Sequence, residues 1–134
     1  MTNLKNKILV IDDEPDILMI IRTVLEEYIP ELDTAVSVDD ATRLIRGNSY
    51  DMIISDYFLG DGTVEEIYEI LQSQQHVPPI VVISGMFDQV ATDSLDSLNI
   101  KHKFSKPLNL VEFSDKIHQI FSEAINREIE LKAS

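Results

Sequence analysis

The residues best suited to chemistry are an adjacent pair of acids, Asp12-Asp13, a separate acid at Asp56, a hydroxyl at Ser84 and an amine at Lys106. Each stands at or just past the end of a short apolar run. If the chain brings those ends together, three carboxylates share one place. Two unit charges about 4 Å apart repel by about 4 kcal/mol at an effective dielectric near 20, so something cationic must offset them. Mg²⁺ or Mn²⁺, hard ions with oxygen ligands, fit better than zinc, because no histidine or cysteine stands at a strand end beside these acids. The ammonium of Lys106 supplies the remaining local positive charge.

The elements that must position these groups are legible as alternating short apolar runs and stretches of helical period. Lys7 to Ile11 suits a strand buried on both faces and ends at Asp12. Pro15 opens a helix whose stripe of Ile17, Leu18, Ile21, Val24, Leu25 and Tyr28 is stopped near Pro30. A weaker strand over Leu32 to Val36 leads to Ser37, an N-cap for a helix bearing Ala41, Leu44 and Ile45 and ending at Gly47. Met52-Ile53-Ile54 delivers Asp56, and the turn-rich Gly60-Asp61-Gly62 precedes a capping-box pattern from Thr63 to Glu66 that opens a helix with Ile67, Tyr68 and Leu71 inward. Ile80 to Ile83 ends at Ser84-Gly85, a polar and weakly periodic stretch runs from Met86 to Leu98, and Ile100 to Phe104 forms the next strand. Asn109 and Glu112 then cap a last helix carrying Leu110, Phe113, Ile117, Ile120, Phe121, Ala124 and Ile125.

Five strands alternating with five helical segments predict an α/β fold, an open parallel sheet covered on both faces. In such sheets functional groups gather outside the carboxyl ends of the strands. Asp12, Asp13, Asp56, Ser84 and Lys106 are therefore predicted to meet there.

Composition narrows the function classes. The 134 residues are enough for one domain, and 24 acids against 11 Lys plus Arg give a net charge of −13. Such a surface repels phosphate backbones and anionic lipid, which argues against direct nucleic-acid or membrane binding. The absence of cysteine removes thiolate catalysis, disulfides and cysteine-ligated zinc. No apolar run approaches the roughly 18 residues of a membrane span, and the N-terminus has no signal-peptide pattern, so a soluble, cytoplasmic protein is expected. Setting Asp12, Asp13 and Asp56 aside, the remaining acids still outnumber the cations 21 to 11, which makes a protein the better output partner.

The order of motifs resembles the receiver domain of two-component response regulators: Asp12-Asp13 after the first strand, Asp56 after the third, Ser84-Gly85 after the fourth and Lys106-Pro107 after the fifth. The resemblance spans about residues 5 to 125. It implies residues 1–125 as the receiver domain, 126–134 as a helix extension or tail, and a flavodoxin-like, doubly wound sheet of order 2-1-3-4-5. Asp56 would be the phosphoacceptor, taking a phosphoryl group from a sensor histidine kinase or a histidine phosphotransfer protein. Asp12, Asp13, Asp56 and the backbone carbonyl of Phe58 would hold Mg²⁺ or Mn²⁺, with Asp12 acting largely through water. Lys106 would pair with Asp56 and then with the phosphoryl group, aimed by a cis bond to Pro107. Ser84 and Phe104 would form the switch, reshaping a partner-binding face made by the fourth helix, fifth strand and fifth helix.

Phe58 and Met86 stand two residues past Asp56 and Ser84, where the resemblance places side chains that border the path of attacking water, so slow self-dephosphorylation is expected. The sequence departs from the common pattern at Gly60, where proline is frequent, at Phe104, which lacks the frequent tyrosine's hydroxyl, and over Ser94 to Asn99, which lacks a glycine-alanine pair. Asp61 and Glu65 read as surface charges, Glu14 is a candidate to touch the site, and His76, His102 and His118 are assigned no chemistry. Phe121, Ile125 and Ile129 continue at four-residue spacing, which fits a long terminal helix, a homodimer contact or the start of a linker. The reading is of a signalling module and not an enzyme. Its rivals are an aspartyl-phosphate-type phosphatase or phosphotransferase, which would want an acid where Phe58 stands, and a receiver-like interaction domain that works without phosphate.

Overall fold

The apolar runs become strands because, with both faces covered by helices, only a parallel sheet can bury every side chain of a run. The computed structural model describes residues 7–29 and 31–133. Along the chain stand β1 (Lys7–Ile11), α1 (Pro15–Leu25), β2 (Glu31–Ala35), α2 (Val38–Gly47), β3 (Met52–Asp56) and two short strands, β4 (Phe58–Leu59) and β5 (Gly62–Thr63). They are followed by α3 (Val64–Ser73), β6 (Ile80–Ser84), α4 (Gln89–Ser97), β7 (His102–Ser105) and α5 (Leu110–Ala133). The main sheet has the order β2-β1-β3-β6-β7, every pairing parallel. This is the expected order 2-1-3-4-5 once β4 and β5, which pair only with each other, are set aside.

Alternate residues of each strand feed opposite cores. Leu9, Ile11, Ile53 and Val82 pack with Ala41 and Ile45 of α2, Ile67 and Leu71 of α3, and Ala91 and Leu95 of α4. Ile8, Val10, Ile54 and Ile83 pack on the other face with Leu18, Ile21 and Leu25 of α1 and Phe113, Ile117 and Phe121 of α5.

Several boundaries differ from expectation, each for a local reason. Helix α1 closes at Leu25, and Tyr28 lies in the following turn, where its hydroxyl donates to the Ser114 carbonyl at 2.8 Å; Pro30 lies outside the described residues. Ser37 caps α2 as expected by accepting from the Asp40 N–H. The Thr63 capping box does not form: Thr63 stands at the N-cap of α3 without a side-chain cap bond. The fifth central strand starts at His102 and not at Ile100, because the Ile100 N–H turns back to the Leu95 carbonyl at 2.9 Å and closes α4. Asn99, at φ 59°, takes the left-handed position at that helix end, where glycine is usual and asparagine is tolerated. The missing glycine of this segment is thereby replaced.

Candidate functional site

Strand ends β1 and β3 lie side by side, since Ile11 is in register with Ser55. Asp12 therefore leaves the sheet beside Asp56, and Asp12, Asp13 and Asp56 each present a carboxylate oxygen within 4.8 Å of the others. Their burial is graded: Asp12 is buried, Asp56 half-buried and Asp13 exposed. Such a set offers only hard oxygen donors, with one face open to solvent, and so fits a divalent cation of the Mg²⁺ type.

Lys106 reaches this cluster from beyond β7, held there because its N–H bonds the Ser84 carbonyl at 2.8 Å. Its Nζ lies 3.1 Å from Asp12 Oδ2 and 3.1 Å from Asp56 Oδ2. Glu14 adds a looser contact at 3.7 Å from an exposed side chain, so this candidate does touch the site. Burial alone would lower the Lys106 pKa, but its bonds to Asp12 and Asp56 outweigh it and the amine is pushed up, remaining charged. Asp56 is pushed above the usual carboxylate range, first by burial and also by the Asp12 charge, although the bond from Lys106 pulls the other way. The arrangement is thus a half-buried carboxylate beside a fixed ammonium and two further acids. An oxygen of Asp56 can act as a nucleophile toward an electrophile whose own negative charge is met by cations.

The other expected residues lie around this mouth. The Lys106–Pro107 peptide bond is cis. Ser84 is buried, and its hydroxyl is engaged within its own turn, donating to the Met86 carbonyl at 2.9 Å and accepting from the Met86 N–H at 3.1 Å. It does not cap α4; Asp88 does, by accepting from the Ala91 N–H. The Phe58 and Met86 side chains are both exposed. Phe104 is half-buried and packs edge-on against Phe113, ring centroids 5.1 Å apart.

Asp61 and Glu65, expected as surface charges, have structural partners. Asp61 reaches across to the start of α2 and accepts from the N–H groups of Val38 at 2.8 Å and Asp39 at 3.0 Å, and these two bonds hold its carboxyl below the usual range. Glu65 is half-buried between Tyr57 and Ser94. Neither was findable from spacing, because the partners lie on other elements; the tyrosine directly after Asp56 is the only local hint.

Beside Lys106 an apolar groove of about 490 Å³ is lined by Ile17, Ile20, Lys106, Pro107, Leu108 and Leu110. Another cavity, of about 520 Å³, lies away from the acids, between the approach to β6 (Val77–Ile80), the approach to β7 (Leu98–His102) and α5. No described helix is long and apolar enough to cross a membrane.

Residues 8–118 match the family described as the response regulator receiver domain. Response regulator protein PilR of Pseudomonas aeruginosa is 26% identical over 81 residues, which cover 60% of this chain and 18% of that protein. The chain therefore spans less than a fifth of the length of this curated relative. Among solved structures, a response regulator receiver domain protein (CheY-like) from Methanospirillum hungatei is 18% identical with a TM-score of 0.81, covering 90% of this chain and 97% of its own. Chemotaxis protein CheY4 of Vibrio cholerae is 20% identical with a TM-score of 0.76, covering 85% and 97%. At these identities the likeness is one of fold.

Proposed function

The chain belongs to the response regulator receiver domain family, and from that premise we propose that Asp56 accepts a phosphoryl group from a sensor histidine kinase or a histidine phosphotransfer protein. The observation that carries this reading is Lys106 Nζ standing 3.1 Å from both Asp12 and Asp56 at the mouth of the parallel sheet. In the transfer an Asp56 carboxylate oxygen attacks phosphorus, the phosphorus–nitrogen bond of the donor phosphohistidine breaks, and the nitrogen keeps the electron pair and takes up a proton. Lys106, already charged, exchanges its Asp56 contact for a phosphoryl oxygen.

Asp12, Asp13, Asp56 and the Phe58 carbonyl are the groups that would hold Mg²⁺ or Mn²⁺. When bound, the ion supplies charge neutralisation to the acids and to the transferring oxygens. The apolar groove beside Lys106 gives the donor protein a footing next to the acceptor. Ser84 would leave its bonds with Met86 to meet a phosphoryl oxygen, and Phe104 would shift against Phe113, altering the face formed by α4, β7 and α5 where an output protein binds. The chain works as a cytoplasmic signalling acceptor, and Phe58 in place of an acid two residues past the nucleophile argues against turnover of external phosphate esters.

Intact-mass measurement after incubation with Mg²⁺ and acetyl phosphate tests the assignment. The wild type is expected to gain one phosphoryl mass and Asp56→Asn none; a gain that persists in the variant overturns it.

A further inference from the structure

Glu65 lies in the first turn of α3, nine residues past Asp56, and its carboxylate is shared by two other elements. Oε1 accepts from the Ser94 hydroxyl of α4 at 2.6 Å and from the Tyr57 hydroxyl, which comes from the residue directly after Asp56. Oε2 is buried and makes no hydrogen bond. Burial by itself would raise the Glu65 pKa, but hydrogen bonding, that of Ser94 first, outweighs it and holds the carboxyl below its ordinary value. Tyr57 is pushed up to about 12, by burial first and then by Glu65, so it stays a donor.

Tyr57 is fixed to the acceptor by more than its place in the chain. Its ring is 5% exposed, its N–H bonds the Ile83 carbonyl at 3.0 Å and its carbonyl accepts from the Val64 N–H at 3.1 Å. The Tyr57 N–H also helps pull the Asp56 carboxyl downward. Ser94 lies on the α4 turn that seats Leu95 in the core. A charged acceptor makes shorter and stronger hydrogen bonds than a neutral one. Because both bonds end on one oxygen while the other oxygen has none, the arrangement is half satisfied and sensitive to the loss of either donor. Any displacement of Tyr57 hands Oε1 to Ser94 alone.

We propose that Glu65 is a positioning residue that couples the acceptor loop to α4, holding Tyr57 beside Asp56 and Ser94 on α4 through the same carboxylate oxygen, so that a change of state at Asp56 reaches α4. The last clause rests on Asp56 being the phosphoacceptor, whereas the link between the two elements does not.

Amide hydrogen exchange on the full chain tests both parts. In the unphosphorylated protein, Ser94→Ala speeds exchange over residues 57–64 and Tyr57→Phe speeds it over Gln89–Ser97, on the order of tenfold, as expected when local opening loses one hydrogen bond. Glu65→Ala produces both effects, and Glu65→Gln, which keeps a carbonyl acceptor, stays near wild type. Effects confined to the element that carries each substitution overturn the link. After treatment with acetyl phosphate and Mg²⁺, with the modification followed by intact mass, α4 exchange changes in the wild type but not in phosphorylated Tyr57→Phe. An equal α4 response in that variant overturns the coupling. If the wild type gains no phosphoryl mass, the functional reading falls, and the cross-element effects in the unphosphorylated protein decide the link by themselves.

Discussion

Asp56 and Glu65 are two half-buried carboxylates nine residues apart, and their surroundings push them in opposite directions. Asp56 sits among charges, where burial and Asp12 raise its pKa and Lys106 only partly offsets them. Glu65 sits among hydroxyls, whose bonds more than cancel the same burial penalty. Charged neighbours leave a carboxylate in a contest that a new cation or a phosphoryl group can tip. Neutral donors hold a carboxylate in one place. The first environment suits chemistry and the second suits anchorage.

The largest effect should come from removing the cation that makes the first environment tolerable. With its side chain 18% exposed, against 1% for Asp12 and 12% for Asp56, Lys106 is the main local compensation. Lys106→Ala is expected to cost about 3 kcal/mol of stability in the absence of divalent ions, with much of it restored by millimolar Mg²⁺. Urea unfolding with and without Mg²⁺ measures this, and a loss indifferent to Mg²⁺ would mean that the mouth does not gather charge as described. In the second environment, Glu65→Ala strands two hydroxyls and should cost about 2 kcal/mol, against less than about 1 kcal/mol for Glu65→Gln. For a domain of this size each kcal/mol moves Tm by roughly 4 °C, so thermal scans resolve the pair.

A kinetic comparison sharpens the same contrast. Phe58, 53% exposed, stands two residues past Asp56, and its ring meets Tyr57 edge-on with centroids 4.6 Å apart without bonding to Glu65. Phe58→Asn should speed loss of the phosphoryl group on the order of tenfold, about 1.4 kcal/mol of barrier. A decay time course on the phosphorylated protein reads it directly, and an unchanged or slower decay contradicts the obstruction argument.

The smallest effects lie in the pH dependence of stability, and they carry opposite signs. Since the folded-state pKa of Asp56 is raised above its ordinary 3.8, its ionisation opposes folding at neutral pH, and the penalty fades as pH falls toward 3.8. Asp56→Asn should therefore be slightly more stable than wild type at pH 7, with the gain lost on acidification. Glu65 is lowered from 4.5, so its contribution is complete above pH 4.5 and disappears as pH falls below that value through its folded-state pKa. Glu65→Gln should be slightly less stable at pH 7 and converge with wild type in acid. Unfolding curves at pH 7 and pH 4 show whether the two signs differ.

How much of this was legible in the sequence follows from where each signal lives. The central strands were readable because a buried parallel strand needs a continuous apolar run, and Lys7–Ile11 and Ile80–Ser84 are such runs. The juxtaposition of Asp12, Asp13, Asp56 and Lys106 follows from strand ends sharing one side of a sheet, so order along the chain was enough. Helix α4 was weakly marked because only Ala91 and Leu95 of it are buried. The β4–β5 hairpin has two residues per strand, too few for an alternation to register. Asp61 and Glu65 escaped because an acid becomes a cap or an anchor only through partners that approach from elsewhere, 22 residues away for Asp39 and 29 for Ser94. Thr63 shows the converse: its local pattern suits a capping box, yet its side chain makes no cap bond in the fold.

Helix α5 runs for 24 residues, about 36 Å, yet among its described side chains the buried ones end at Phe121. It is a lever with its seat near one end. Phe113, pressed by the edge of the Phe104 ring, sits close to the fulcrum, and Ala133 lies about 30 Å further along the axis. A tilt of about 10° at that seat sweeps the far end through roughly 5 Å. A shift of the Phe104 ring that tilted this seat would therefore be magnified at the far end of the helix.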